Sequence, residues 1–340
     1  MKRPLLAALF AMVPVAHSST GGGTVEFAFL RNQVPARDAG FANTWVPGGS
    51  GISALGYNPA GLARAAAPTI EIGGRVHTDW TNTVQVGGSY PALDGVLAGR
   101  LDQQNVPEIT GLDRNGDTTG RMHRPSETSL LIAFGEPLGQ RLAWGIGLRL
   151  LREDLDIDGS QAWGVSVNLG TVLQPGSKRF LYWAQMEELG TKLSGHSQAE
   201  REFGPLPLSF AGGVRAAAGP RGLNLFLEAR KPMESDLNFR TGFEYKANRW
   251  IEVRGAVRTD APELLDGFRE FVLQRDIEAA PPSQDLRWAL GGTLRHEQIA
   301  LEYAFQWWSL LDPAHHLTVS WDFSTPGRQT SPAPDAGDAP

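Results

Sequence analysis

The 340-residue chain contains no cysteine, which excludes disulfide bridges, thiolate metal sites and a lipid anchor attached through an N-terminal cysteine. Charge is sparse: Asp, Glu, Lys and Arg make up 20% of the residues, and the formal net charge is −6. That balance offers no basic face for nucleic acid. Long hydrophobic runs are also missing. The most apolar stretch lies in MKRPLLAALFAMVPVAHS, residues 1–18, and it falls well short of the roughly 20 residues that cross a bilayer as a helix. Its basic start at Lys2 and Arg3, apolar centre, and small residues at Ala16 and Ser18 read as a secretory signal peptide, cleaved after Ser18.

What the chain does have is 40 glycines, ten tryptophans and fifteen phenylalanines, a composition of strands and tight turns. From Thr69 onward, apolar and polar side chains alternate, as expected of strands that separate two different environments. In LNFRTGFEYK (237–246), Leu237, Phe239, Phe243 and Tyr245 share one face, and Asn238, Arg240, Glu244 and Lys246 the other. IEVRGAVR (251–258) repeats the pattern, and Ala247 with Asn248 supplies a hairpin turn between the two.

Fourteen such runs are expected, near 69–78, 82–91, 93–101, 127–136, 141–152, 160–173, 178–187, 206–218, 222–230, 237–246, 249–258, 286–296, 298–306 and 315–323. The third and seventh, LDGVLAGRL and KRFLYWAQME, alternate poorly, so their lipid face is not defined. Segments of about ten residues with one apolar and one polar face are the pattern of an outer-membrane barrel. Trp144, Tyr182, Trp183, Tyr245, Trp250, Trp288, Tyr303, Trp307 and Trp321 lie near run ends, where aromatic girdles meet the membrane interfaces. The expected fold is therefore all-β, an antiparallel transmembrane barrel bounded by outer-membrane lipid. A soluble exported β protein is the competing architecture.

Two long connections, roughly 102–126 and 259–285, are expected on the outside, the second with a short helix from Pro262 to about Ile277. After Phe323 the tail STPGRQTSPAPDAGDAP is read as disordered. The expected organisation is a signal peptide over 1–18, an irregular N-terminal segment over 19–66, a barrel over 67–323 and a tail over 324–340.

No catalytic constellation is present in the sequence, so no enzyme activity, metal or cofactor is expected. Gly48-Gly49-Ser50-Gly51 lacks the spacing of a nucleophile elbow, and His296-Glu297 has no second histidine at the zinc-protease spacing. Asp113, Asn115 and Asp117 suggest the start of a calcium loop, but Thr118 and Arg124 stand where a glycine and a glutamate are needed. An Asn115-Gly116 hairpin turn accounts for them better. His315 and His316 point to opposite faces of a strand and cannot share a metal. Glu71, Arg75, Arg149, Glu228, Arg230, Arg240, Glu244, Arg254, Arg258, Glu302 and Asp322 form a nearly balanced set of lumen charges, suited to holding a segment in place through ion pairs.

One stretch fits neither period: GISALGYNPAGLA (51–63), apolar but rich in glycine. Together with FLRNQVPARDAG, LGTKL (189–193), GPLPLSF (204–210), the Lys231-Pro232 turn before SDLNFRTGFEY, and the closing LEYAFQWW and HHLTVSWDF, it resembles the PorV/PorQ family of outer-membrane proteins, relatives of the FadL transporters. The resemblance runs from about Phe27 to Phe323 and implies a fourteen-stranded barrel with its N-terminal segment folded into the lumen as a hatch. Asn58, Pro59, Ala60, Gly61 and Leu62 would belong to that hatch, with Pro59 fixing a turn, Asn58 bonding its own backbone and Gly61 allowing close packing. Turn chemistry before the first strand would also explain these residues. The chain departs from the family at Gly40-Phe41-Ala42-Asn43-Thr44, where a Gly-Met-Gly-Gly-Ala turn is common, and at Gly49-Ser50-Gly51, where paired aspartates are common.

The resemblance implies a noncatalytic barrel assisting protein export through a type IX-like secretion system, with secreted cargo or secretion components as partners. The alternative is a FadL-like channel for uptake of a hydrophobic small molecule. Phe41, Trp45, Ile52, Leu55 and Tyr57 could line a pocket for it.

Overall fold

Alternation along the strands sorts side chains opposite to the arrangement in a water-soluble protein. On the first strand Ile70 and Ile72 are 47% and 58% exposed, while Glu71 and Arg75, of the opposite parity, are 1% and 2% exposed. The same inversion runs around the whole sheet, with Val84, Leu97, Ile132, Leu148, Leu227, Val257, Leu290 and Leu317 outside and Gln85, Arg100, Arg149, Glu228, Arg254 and His316 buried inside. An exposed apolar belt around a polar interior is stable only where the outer face meets lipid.

The computed structural model describes residues 27–31, 35–48, 51–65, 67–78, 81–112, 115–156, 160–176, 179–195, 206–219, 222–261, 286–308 and 313–323. The expected signal peptide, the expected helix from Pro262 and the tail after Phe323 lie outside these residues. In chain order the strands are β1 Thr69–His77, β2 Asn82–Ala92, β3 Gly95–Asn105, β4 Ile109–Leu112, β5 Thr118–His123, β6 Ser126–Leu138, β7 Leu142–Asp154 and β8 Gln161–Leu173; then β9 Phe180–Ser194, β10 Ser209–Ala217, β11 Leu223–Pro232, β12 Asn238–Lys246, β13 Ile251–Asp260, β14 Leu286–His296, β15 Ile299–Trp308 and β16 Ala314–Asp322. Fourteen of them close into one antiparallel barrel, β1 pairing with β16, and β4 with β5 makes a separate two-stranded hairpin. Each of the fourteen expected runs corresponds to one barrel strand.

Local chemistry explains the turns. Between β12 and β13 the Asn248 side chain accepts from the backbone N–H groups of Trp250 and Ile251 at 2.8 and 2.9 Å. Between β4 and β5, Gly116 sits at φ 88°, the left-handed conformation an Asn-Gly turn supplies. The connection expected over 102–126 is shorter than anticipated, because β3 continues to Asn105 and the hairpin occupies most of the rest. Tight turns join the strands at one end of the barrel, as between Ala92 and Gly95, and the longer connections gather at the other.

The two runs without clear alternation are explained by what lies within. On β3, Val96 and Ala98 face inward while Leu97 and Leu101 face outward, and on β9, Leu181 and Trp183 face inward while Tyr182 faces outward. Both faces are apolar there because apolar groups of the N-terminal segment pack against the inner one. Trp183 is thus not part of an interface girdle; it is 2% exposed and packs edge-on against Trp45 at 6.5 Å. By contrast Tyr182, Tyr245, Tyr303, Trp307 and Trp321 are exposed on the outer surface, and Trp250 is exposed at the tight turn between β12 and β13.

Ile132, near the middle of β6 on the outer face and paired with Leu148, tests the orientation of the barrel. Ile132→Arg should destabilise it by about 2–4 kcal/mol, the cost of a cation near the bilayer midplane, measured as a shift in reversible urea unfolding in liposomes. An unchanged midpoint would mean this face does not meet lipid.

Candidate functional site

The N-terminal segment runs through the barrel from the long-loop end to the tight-turn end. At the first end Phe27 and Leu30 pack with Leu151, Ala162 and Leu206, and Arg31 pairs with Glu234. A single helical turn, Ala36–Ala39, then lies against β14, β15 and β16. The Ala36 N–H donates to Thr318 Oγ1 at 3.0 Å, and Gln306 Nε2 donates to the Ala39 carbonyl at 3.0 Å and to Asn43 Oδ1 at 2.7 Å. Two 3₁₀ turns, Gly51–Ala54 and Pro59–Arg64, complete the segment. The Pro68 carbonyl accepts from the Phe323 N–H at 2.8 Å, where β1 meets the last strand.

The Asn58-Pro59 turn is seated in a trough of glycines. Gly135 on β6 pairs directly with Gly145 on β7, which pairs directly with Gly170 on β8. A Cβ at any of the three would collide with the turn: 2.4 Å from the Pro59 carbonyl oxygen at Gly135, 2.3 Å from the Pro59 carbonyl carbon at Gly145, and 1.9 Å from Asn58 Oδ1 at Gly170. Asn58 Oδ1 accepts the Ala60 N–H at 3.2 Å, capping the 3₁₀ turn. Its Nδ2 donates to the carbonyls of Thr171 and Ala184 at 3.2 and 3.3 Å. One buried side chain therefore shapes the turn and ties it to β8 and β9. Gly61 has its own constraint, since a Cβ there would lie 2.3 Å from the Trp45 ring. Ala60 and Leu62 are fully buried.

The five candidate pocket residues divide between two packed clusters. Phe41, Trp45 and Tyr57 join Trp183, Phe226 and Leu181, with Phe41 and Phe226 edge to face at 5.3 Å. Ile52 and Leu55 join Leu62, Val96, Leu131 and Ala133. All five are at most 2% exposed. Burial raises the Tyr57 phenol above its ordinary pKa, keeping it neutral, and the Arg230 guanidinium lies 5.6 Å from its ring centroid.

The lumen charges are organised around this segment. Arg37 bridges Glu244 at 2.6 Å and Glu252 at 2.9 Å; burial lowers its pKa, but these carboxylates and Glu302 more than offset that and keep it protonated. Arg254 shares Glu252 at 3.1 Å and Glu302 at 3.8 Å. Arg230 binds Glu187 at 2.6 Å and Glu228 at 3.2 Å. Arg240 reaches Glu228 at 3.5 Å and donates to the Asn43 carbonyl. Glu71 accepts from Gln85 at 2.5 Å, Arg75 donates to Thr83 at 3.0 Å, and Arg149 pairs with Glu188 at 3.1 Å. Arg258 pairs with Asp260 at 3.1 Å on its own strand, near the long-loop end, and Asp322 accepts from Thr69 Oγ1 at 2.8 Å. A cavity of about 310 Å³ opens beside this network at the tight-turn end, lined by Arg37, Lys246, Trp250, Glu252, Arg295 and Glu302 among others.

Sequence reasoning missed three features. Arg37 and Asp38 lie in a segment without period and gave no signal. The glycine row could have been found from the inward parity of Gly135, Gly145 and Gly170 on neighbouring strands. Glu187 and Glu188 are adjacent yet both buried, because a bulge in β9 opposite Asn168 breaks the alternation; Asn168 Oδ1 accepts the Glu188 N–H at 2.8 Å.

No family model matches the chain, and no curated protein matches it. Solved structures are similar. The crystal structure of the Pseudomonas putida toluene transporter TodX superposes with a TM-score of 0.60 at 13% identity, covering 84% of this chain and 97% of that one. A second crystal structure of the P. putida toluene transporter TodX gives 0.60 at 12% identity, covering 90% and 99%. A mutant of the TodX monoaromatic hydrocarbon channel gives 0.56 at 13% identity, covering 84% and 96%. Identity at this level establishes the fold. The protein shares the fold of these structures, a closed fourteen-stranded barrel with an apolar outer face, of the kind that Gram-negative outer membranes carry.

Two substitutions test how the segment is held. Gly170→Val should expel the Asn58-Pro59 turn while leaving the barrel intact, seen as a several-fold rise in planar-bilayer conductance with normal heat modifiability on gels; unchanged conductance would show that the turn does not obstruct the lumen. Asp38 is fully buried, and neither carboxyl oxygen has a hydrogen-bond partner among the described residues. Burial raises its pKa well above 3.8; Glu302 and Glu71 add to the rise and Arg37 opposes it. Its contribution to docking is therefore fully present below pH 3.8 and declines as the pH climbs toward the raised value. Asp38→Asn should make channel current quieter than wild type at neutral pH, with the difference vanishing in acid. Equal noise at neutral pH would contradict this.

Proposed function

We propose that this protein is a channel for uptake of a hydrophobic small molecule across the outer membrane, with residues 27–65 acting as a hatch. The observation that carries the reading is the match to TodX over most of both chains, in which the named cargo is toluene, a monoaromatic hydrocarbon. The interior is consistent with it. Three apolar clusters follow one another along the hatch, Phe27 with Leu30, then Phe41 with Trp45 and Tyr57, and Ile52 with Leu55. An apolar solute passing the hatch can replace contacts between aromatic and aliphatic groups without stripping any charge of its partner. The protein is noncatalytic on this reading, and residues 1–18 are removed on export. The export role implied by the PorV/PorQ resemblance draws no support from the TodX structures, which are named for toluene and monoaromatic hydrocarbon.

Uptake of radiolabelled toluene into proteoliposomes tests the reading. Wild type should show saturable uptake with low ionic conductance. A variant lacking residues 27–65 should conduct ions freely and lose saturation. Toluene entry no faster than into protein-free liposomes would overturn the uptake function.

A further inference from the structure

The chain as a whole is acidic, with a net charge of −6, yet cations outnumber carboxylates in the cavity at the tight-turn end. Its lining carries Arg37, Lys246, Arg249 and Arg295 against Glu252 and Glu302. Both carboxylates are already engaged. Glu252 receives Arg37 at 2.9 Å, Arg254 at 3.1 Å and Lys246 at 3.7 Å. Glu302 lies 3.8 Å from Arg254 and accepts from Thr293 at 3.2 Å. Arg37 Nε is buried with no hydrogen-bond partner among the described residues. Arg215 adds to the excess beside Gly48, where it donates to the Pro47 carbonyl and, at 3.1 Å, to Asn224 Oδ1. A polar cavity with surplus positive charge attracts an anion.

The backbone that carries these cations is fixed. The Lys246 N–H donates to the Gly222 carbonyl at 3.0 Å, and the Arg295 N–H donates to the Trp250 carbonyl at 2.8 Å. The Arg249 guanidinium sits over the Trp250 ring, 4.4 Å from its centroid, a cation–π contact that holds the charge at the rim. The Lys246 and Arg295 side chains are 51% and 46% exposed, so their charge reaches the opening. Trp250 and Ile251 also line the cavity. Ile251 pairs with Leu294, and both are exposed on the outer face together with Val253. The cavity therefore borders the lumen on one side and the lipid-facing surface on the other. Short turns of such barrels face the periplasm, so this rim meets the membrane leaflet on that side.

We propose that this cavity holds the phosphate of an anionic phospholipid from the periplasmic leaflet, with the acyl chains laid against Ile251, Val253 and Leu294. A phosphate ester supplies charge-assisted acceptors for Lys246, Arg249 and Arg295, and basic pockets at a membrane edge attract anionic headgroups. The volume of about 310 Å³ stands at the lower end of the range for small-molecule pockets; it admits a headgroup and leaves the chains outside. A soluble phosphate ester offers the same charged group without the apolar part and is the competing source. The apolar residues at the rim favour the lipid. The proposal does not depend on which solute crosses the lumen.

Native mass spectrometry of the detergent-purified protein, titrated with phosphatidylglycerol or with phosphatidylcholine of the same acyl chains, tests the assignment. One phosphatidylglycerol should be retained per chain at concentrations that leave phosphatidylcholine unbound. Lys246→Gln combined with Arg249→Gln should raise the half-saturation concentration by about tenfold, through loss of charge-assisted contacts. Arg141→Gln, which removes an exposed cation from the turn between β6 and β7, should leave it unchanged. Heat modifiability confirms that each variant is folded. Equal retention of the two lipids, or equal weakening by Arg141→Gln, would overturn the proposal and leave only a nonspecific basic rim. Glycerol phosphate is the soluble probe. Displacement of the lipid only at far higher concentrations of glycerol phosphate is expected; binding as tight as that of the lipid would assign the site to soluble esters and overturn the lipid as its occupant.

Discussion

A barrel with an apolar exterior has to find partners for everything polar that it turns inward. The pleat sends every second side chain into the lumen, so residues such as Arg100, Arg149, Glu228 and Arg254 are buried because their neighbours face lipid. Buried charges are tolerable only when paired and hydrogen-bonded. The N-terminal segment supplies part of that pairing: Arg37 bridges carboxylates on β12 and β13, and the Asn43 carbonyl receives Arg240. The segment and the wall thus satisfy several of one another's polar groups, Asp38 excepted.

The apolar part of the interior is organised differently. Where the wall is small or apolar, the segment presents aromatic and aliphatic side chains, and the closest approach occurs at Gly135, Gly145 and Gly170. The two chemistries share strands: β9 carries both Trp183 and Glu187, β11 both Phe226 and Glu228, and the Arg230 guanidinium lies 5.6 Å from the Tyr57 ring centroid.

Recognition of the strands required only local information. LNFRTGFEYK separates cleanly because Arg240 and Glu244 share one parity and Phe239 and Phe243 the other, and in the barrel they fall on opposite faces. Trp183 was misplaced for the opposite reason. Its run is apolar on both faces, and a tryptophan near a strand end looks the same whether it meets an interface or a plug. Arg37 was invisible because its carboxylate partners, Glu244 and Glu252, lie more than two hundred positions away in sequence.

By itself, the sequence determined the fourteen barrel strands, the faces of all but two of them and several of the turns between them, since each depends on side-chain parity and on residues such as Asn248 acting over a few positions. It also marked YNPAGLA as irregular and apolar. Tertiary structure alone decided what that stretch touches. The register between β6, β7 and β8 aligns three glycines into one trough, pairing of β9 with β8 places the Ala184 carbonyl to receive Asn58, and closure between β1 and β16 encloses the segment. Register and closure are properties of strand pairs and of the whole ring, so no window of sequence contains them.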